Sequence, residues 1–316
     1  MTEIDGIVPV VPTPFRAEDE ALDLDALDGL IEFAASLDVS AVCLPAYAGE
    51  FYKLSEAERF QVVERAVRSS RGRVAVMAQS NHPSARHAAA IARRNEELGA
   101  ELISFAVPRV FGLPEGDLLD YCRTVCRAVT GPVLIQDFNP GGPTVGAEFC
   151  ARLREACPNF RWVKLEEPLL GPKVVAIREA TGDEVGVLEG WGGMYLLDLL
   201  PSGIRGCIPG LGVADLLARV WRLGRAGEVA AALDLFEAVL PQIVFGLQHL
   251  EVFLHLEKRL LVERGVLRDP TVRRPTYTPD PAVLAYGDLL NRRVVAAARR
   301  LGPPAGPANA RADGNR

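Results

Sequence analysis

A TIM (β/α)8 barrel with a C-terminal helical extension is the fold this sequence predicts, and three observations carry the prediction. Strand-like and helix-like segments alternate eight times over residues 1–225. The strand-like runs are apolar almost throughout, as expected when helices cover one face and a packed interior the other. No GxGxxG follows the first strand, so a doubly wound nucleotide-binding sheet would lack its phosphate turn.

The first strand is expected at 7–12 (IVPVVP), before an amphipathic helix at 23–38. Strand 40–45 with helix 55–70, strand 73–79 with helix 84–98, and strand 101–107 with helix 115–129 repeat the unit. Strand 132–137 with helix 146–156 and strand 160–166 with helix 171–181 follow. Strand 185–189 with helix 193–200 and strand 204–208 with helix 212–224 complete the set. From 226 to 301 the pattern turns wholly helical (227–243, 246–265, 280–300), with Pro270, Pro275, Pro279 and Pro281 punctuating the last interval. This second unit is expected to pack against the barrel. Residues 302–316 (GPPAGPANARADGNR) have the composition of a disordered tail.

Composition narrows the function classes. The 316 residues are 49% hydrophobic and 24% charged, enough for a large core. Net charge is −6 and no basic tract occurs, which argues against nucleic acid and anionic membrane as partners. The opening MTEIDGIVPV lacks the basic and long apolar regions of a signal peptide. No uninterrupted apolar run approaches the roughly 18 residues of a spanning helix. A cytoplasmic protein is expected. Six cysteines without a CxxC read as buried free thiols, although Cys122 and Cys126 stand four apart on one helix. The four histidines show no zinc-ligand spacing, so neither a metal nor a cofactor is expected.

The chemical signal lies in Phe160-Arg-Trp-Val-Lys-Leu-Glu-Glu167, a strand flanked by Pro158 and Pro168. Alternation puts Trp162, Lys164 and Glu166 on one face and Arg161, Val163 and Leu165 on the other. Only four of the 35 basic residues are lysine (Lys53, Lys164, Lys173, Lys258). A lysine kept inside an apolar strand is a candidate for what arginine cannot do, which is to lose its proton and attack a carbonyl. In a barrel, Lys164 falls near the C-terminal end of the sixth strand, the end that carries active sites. Other strand ends then supply Tyr47, Ala48, Gly49 and Glu50; Asn81 and His82; Gln136 and Asp137; Glu189 and Gly190; and Ile208. One lysine, a few polar side chains and many backbone amides suit a small oxo acid.

These residues resemble the dihydrodipicolinate synthase/N-acetylneuraminate lyase superfamily over about residues 5–300. The likeness rests on Val11-Pro12-Thr13-Pro14-Phe15, Gly49-Glu50, Lys164, Glu189-Gly190 and Gly206-Cys207-Ile208, in that order and spacing. It implies a class I enzyme that holds a 2-oxo acid as a lysine Schiff base, assembled as a homodimer or homotetramer. The chain also departs from the superfamily's pattern. Tyr47 and Ala48 stand where two hydroxyl residues are usual, and Gln136 where a proton-relaying tyrosine is usual. Arg109-Val110 replaces a pair of tyrosines after the fourth strand, and Asn139–Pro143 supplies no counterpart to the arginine of the lysine-biosynthetic enzymes. Those departures argue against lysine biosynthesis. Gln136-Asp137, Glu166 and Glu189-Gly190 are similar to the L-2-keto-3-deoxyarabonate dehydratase-like subgroup, which implies dehydration of a 2-keto-3-deoxy sugar acid.

The expected roles follow from the chemistry. A Schiff base needs a neutral amine, which burial favours. The iminium is an electron sink: loss of a C3 proton gives an enamine that expels a C4 hydroxyl, whereas in an aldolase C3–C4 breaks instead. Glu166 is the first candidate for the base and Glu189 the reserve; Gln136, which cannot carry protons, orients substrate or water. Backbone N–H groups of Ala48 and Gly49 are expected to hold the substrate carboxylate, with Gly190 and Ile208 lining the site and Tyr47 bonding or shielding the substrate. Arg109 is a candidate for a distal substrate carboxylate or for a solvated surface charge. Two further readings stay open: Lys164 as a structural ion-pair partner of Glu166, and a non-catalytic barrel that binds an oxo acid.

Overall fold

The computed structural model describes residues 3–139 and 141–302, so the tail lies, from residue 303 on, outside the described residues. Its strands are β1 (Gly6–Ile7), β2 (Ala41–Leu44), β3 (Ala75–Gln79), β4 (Leu102–Ala106), β5 (Val133–Asp137), β6 (Phe160–Leu165), β7 (Gly186–Glu189) and β8 (Gly206–Cys207). Helices α1 (Leu24–Ala35), α2 (Glu56–Ser70), α3 (Ala85–Glu97), α4 (Glu115–Cys126), α5 (Ala147–Ala156), α6 (Gly171–Thr181), α7 (Leu196–Leu199) and α8 (Ala214–Arg225) alternate with them. Three more follow: α9 (Val229–Gly246), α10 (Leu250–Glu263) and α11 (Pro281–Leu301).

The strands pair in parallel in the order β1-β8-β7-β6-β5-β4-β3-β2. The segment after β1 closes the ring: Val10 bridges both Cys43 and Gly210, and Cys43 donates its N–H to the Pro9 carbonyl at 2.9 Å. The first strand is expected at 7–12, yet its regular ladder stops at Ile7. Pro9 and Pro12 have no N–H to give, so the ladder is interrupted and the strand closes the barrel through isolated bridges, with Val10 donating to the Pro209 carbonyl at 2.8 Å and Val11 to the Cys43 carbonyl at 3.0 Å. The seventh helix is likewise shorter than its expected 193–200 span: Gly192 (φ +66°) and Gly193 (φ +89°) hold its start back to Leu196, and its end tightens into a 3-10 turn at Leu200–Ser202. At the other extreme, α2 starts from a full capping box in which Ser55 and Glu58 satisfy each other's backbone N–H groups.

Strand alternation sorts the apolar side chains into two cores. Val8, Cys43, Met77, Leu134, Trp162 and Leu188 fill the barrel interior. Val42, Val76, Ile103, Ile135, Val163 and Val187, from neighbouring strand positions, face the helices in the larger outer core. All six cysteines are buried free thiols. Among the described residues α9 is the one helix long and apolar enough to cross a membrane. Its Phe236, Val239 and Ile243 are buried in the outer core, while Val229, Leu233 and Val244 are exposed.

The helical extension does more than pack against the barrel wall. Leu247, Leu250 and Phe253, from the turn into α10 and its first residues, reach the mouth at the C-terminal ends of the strands. A buried ionic node holds them there. Glu50, fully buried with φ +62°, accepts from Lys258 Nζ at 2.6 Å, Lys53 Nζ at 3.1 Å and the Arg273 N–H at 3.1 Å. Lys53 also reaches Glu251 at 2.8 Å, and Tyr52 and Thr276 bond the same carboxylate. The turn after β2 is thereby fixed to the start of α10.

Candidate active site

Lys164 stands where the interior face of β6 meets open space. Trp162 below it is packed in the barrel interior, while Lys164, 8% exposed, borders a cavity of about 90 Å³. Glu166 lies one step past the end of β6 on the same face, and its Oε1 sits 2.9 Å from Lys164 Nζ. Both readings of the lysine are thus realised in part: an ion pair exists, and a cavity lies beside it. A proton on Nζ thus has a carboxylate oxygen within hydrogen-bond distance.

Register brings the third residue. Gln136 on β5 is the direct partner of Lys164, and its Nε2 donates to Glu166 Oε1 at 2.5 Å. The direction of that bond is dictated from two strands away. The Ala106 backbone N–H, which can only donate, bonds Asn81 Oδ1 at 2.7 Å. Asn81 Nδ2 must then donate to Gln79 Oε1 (2.9 Å), and Gln79 Nε2 to Gln136 Oε1 (2.7 Å). Gln136 is left presenting its amide hydrogens to Glu166, which holds that carboxylate in place beside Lys164.

Gly190 is explained by space. A Cβ there would lie 2.3 Å from Glu166 Cγ and 2.9 Å from Lys164 Cε, so any larger residue would displace the pair. Tyr47 and Ala48 line the same cavity from the 3-10 turn after β2, and Ile208 lines it from the end of β8. Burial and the nearby Glu166 charge raise Tyr47, keeping its phenol protonated. Cys43 is a further lining residue, but burial pushes its thiol up to about 11, so it is no nucleophile at neutral pH.

Gly49 and Glu189, expected to bind substrate, fall outside the cavity lining. The Gly49 N–H donates to the Ala46 carbonyl at 2.9 Å and is not free for a carboxylate. Glycine is needed there because a Cβ would come within 3.0 Å of the Val11 carbonyl. The N–H groups that open the turn belong to Tyr47 and Ala48. Glu189 is 1% exposed and turned into its own loop, accepting from Trp191 N at 3.0 Å and Gly193 N at 2.7 Å. Burial raises its carboxyl to about 7, against the pull of these bonds. Its position suits shaping the Gly190–Gly192 wall and not proton transfer at the cavity.

Arg109 is neither free nor at the cavity: it forms a bidentate pair with Asp137 at 2.8 and 2.6 Å, which raises the guanidinium. Asp137 in turn accepts the Val145 N–H at 2.7 Å and anchors the loop after β5. His82 points away and pairs with His87 at 3.4 Å on the surface. Sequence reasoning missed Gln79, although a polar residue closing the apolar run AVMAQ is the same signal as Gln136 closing VLIQD. It also missed Leu247, Leu250 and Phe253, for which no local signal exists.

Comparison with known proteins bears on the family and the fold. The model of the Dihydrodipicolinate synthetase family matches residues 3–281. L-2-keto-3-deoxyarabonate dehydratase of Azospirillum brasilense is 28% identical over 305 residues, covering 94% of each chain. 4-hydroxy-tetrahydrodipicolinate synthase of Sorangium cellulosum is 32% identical over 183 residues, 57% of this chain and 56% of that one. Among solved structures, dihydrodipicolinate synthase from Rhodopseudomonas palustris superimposes with a TM-score of 0.84 at 24% identity, over 92% of this chain and 97% of that one.

Proposed function

This chain belongs to the Dihydrodipicolinate synthetase family, and from that premise we propose that it is a Schiff-base lyase that dehydrates a 2-keto-3-deoxy sugar acid. The observation that carries the reading is the Lys164–Glu166–Gln136 cluster at the edge of a cavity. A full-length relative named for dehydration of 2-keto-3-deoxyarabonate supports it.

In the proposed cycle Lys164 Nζ, having passed a proton to Glu166, adds to C2 of the substrate, and loss of water gives the iminium. Glu166, ionised again, takes the C3 proton, and the electron pair forms the enamine. The enamine expels the C4 hydroxyl, which leaves as water with the proton held on Glu166. With a pentonate, the unsaturated iminium loses a proton from C5 and regains one at C3, and hydrolysis then frees the amine and the C4–C5 enol, which ketonises to the semialdehyde. Gln136 holds Glu166 in place and carries no proton, while the N–H groups of Tyr47 and Ala48 bind the C1 carboxylate. Retro-aldol cleavage would share this path as far as the iminium.

Borohydride reduction in the presence of pyruvate tests the reading, since hydride addition to the imine carbon leaves a stable secondary amine visible by intact mass. A single adduct is expected on Lys164, and 2-keto-3-deoxy pentonates are expected to yield a dehydrated semialdehyde. Release of pyruvate instead would establish the aldolase. A homodimer or homotetramer is part of the proposal, supported by the exposed apolar loop Val110, Phe111 and Leu113; a monomeric mass by light scattering would remove it.

A further inference from the structure

We propose that the site takes 2-oxo acids whose only anionic group is the C1 carboxylate and whose tail is short or apolar, and that Leu247, Leu250 and Phe253 set this limit. The inference deepens the Schiff-base reading above and rests on it.

The cavity is chemically two-sided. Lys164, Glu166, Gln136 and Gln79, with the Tyr47–Ala48 turn, concentrate its polar groups around the reacting end. The remaining wall toward the mouth is built from Ile208, Pro209, Leu247, Leu250 and Phe253. Among the described residues that line it, Lys164 is the only cation, and that amine is consumed in the imine. Cations just outside are engaged: Lys53 with Glu50 and Glu251, Arg109 with Asp137. A second carboxylate at the far end of the substrate would therefore leave water for a largely apolar wall with no cationic side chain to pair it, a cost far larger than one hydrogen bond returns. Hydroxyls beyond C4 meet the same wall, with the Tyr47 phenol as the one hydroxyl among the lining residues, so a long polyhydroxylated tail is disfavoured too. Every residue of the excluding surface beyond Pro209 comes from the helical extension, held in place by the Glu50–Lys258 node. Barrel and extension thus divide the work, one supplying chemistry and the other selection.

The test uses the full chain and compares trapping by borohydride of 2-oxopentanoate and 2-oxoglutarate, which share a five-carbon chain and differ only in a methyl or carboxylate at C5. Pyruvate serves as the control. Adduct formation with 2-oxopentanoate is expected to be at least about 30-fold faster than with 2-oxoglutarate at neutral pH, from the desolvation of the unpaired carboxylate. Leu250→Arg, at a position already 36% exposed, is expected to shrink that ratio at least about fivefold by offering the missing cation. Equal rates for the two five-carbon acids in the wild type would overturn the inference while leaving the Schiff base intact. An unchanged ratio in Leu250→Arg would overturn the assignment to the extension. Absence of any adduct with pyruvate would overturn the catalytic reading itself, and this inference with it.

Discussion

Lys164 and Lys258 are both buried against a glutamate, and the difference between them lies in what stands on their other side. Lys258 is completely enclosed: Glu50 Oε1 at 2.6 Å, the Thr271 carbonyl at 2.7 Å and the Phe15 ring 4.5 Å away surround its ammonium. Burial pulls it down to about 8 even though Glu50 opposes the shift. Lys164 makes one ion pair, at 2.9 Å, and borders open volume. By depth alone Lys258 would be the better candidate nucleophile, yet no ketone can reach it. Burial and pairing make a perturbed lysine; only access makes a reactive one.

The largest expected effect that would break this contrast is on Lys164. Lys164→Ala should remove the pyruvate adduct and lower turnover by about 10⁴-fold or more, the scale seen when a covalent nucleophile is deleted. An adduct that persists, relocated to Lys258, would reverse the assignment. Next in size is Lys258→Met, which should keep the adduct but lower stability in urea unfolding by about 3 kcal/mol, because fully buried Glu50 loses its shortest partner. Adding Glu50→Gln should recover part of that loss; a fully stable single variant would mean the node is not the tether it is described as.

The smallest effect separates the two acids of the mouth. Burial raises Glu189 from an ordinary 4.5 to about 7. A carboxyl that binds its proton more tightly folded than unfolded favours folding at low pH, and that contribution fades as pH rises from about 4.5 to about 7. Glu257, also raised to about 7, does the same but is present in both proteins of the comparison. The melting temperature of wild type minus that of Glu189→Gln should therefore fall between pH 5 and pH 8. A flat difference would show that Glu189 titrates normally and would reopen its candidacy as the base.

Much of this was legible in the chain of residues. Apolar strand runs spaced by amphipathic helices specify the barrel, because parallel strands covered on both faces have few other ways to bury themselves. Period-two alternation put Lys164 and Glu166 on one face, and the register of β5 against β6 set Gln136 beside them. What misled was rarity. Four lysines among 35 basic residues suggested one special lysine, whereas all four pair with glutamates and the most deeply buried is Lys258. Strand-end position also overreached at Glu189, whose side chain caps its own loop.

By itself, then, the sequence determined the barrel, the inward lysine and its carboxylate neighbour, since each follows from periodicity along a single element. Tertiary structure alone decided that Glu189 and Gly49 spend their polar groups on the local backbone, that Gln79 and Asn81 orient Gln136, and that Leu250 and Phe253 close the mouth. Those outcomes depend on contacts between residues as far apart as Glu50 and Lys258, 208 positions along the chain, and no local pattern records which distant surfaces will meet.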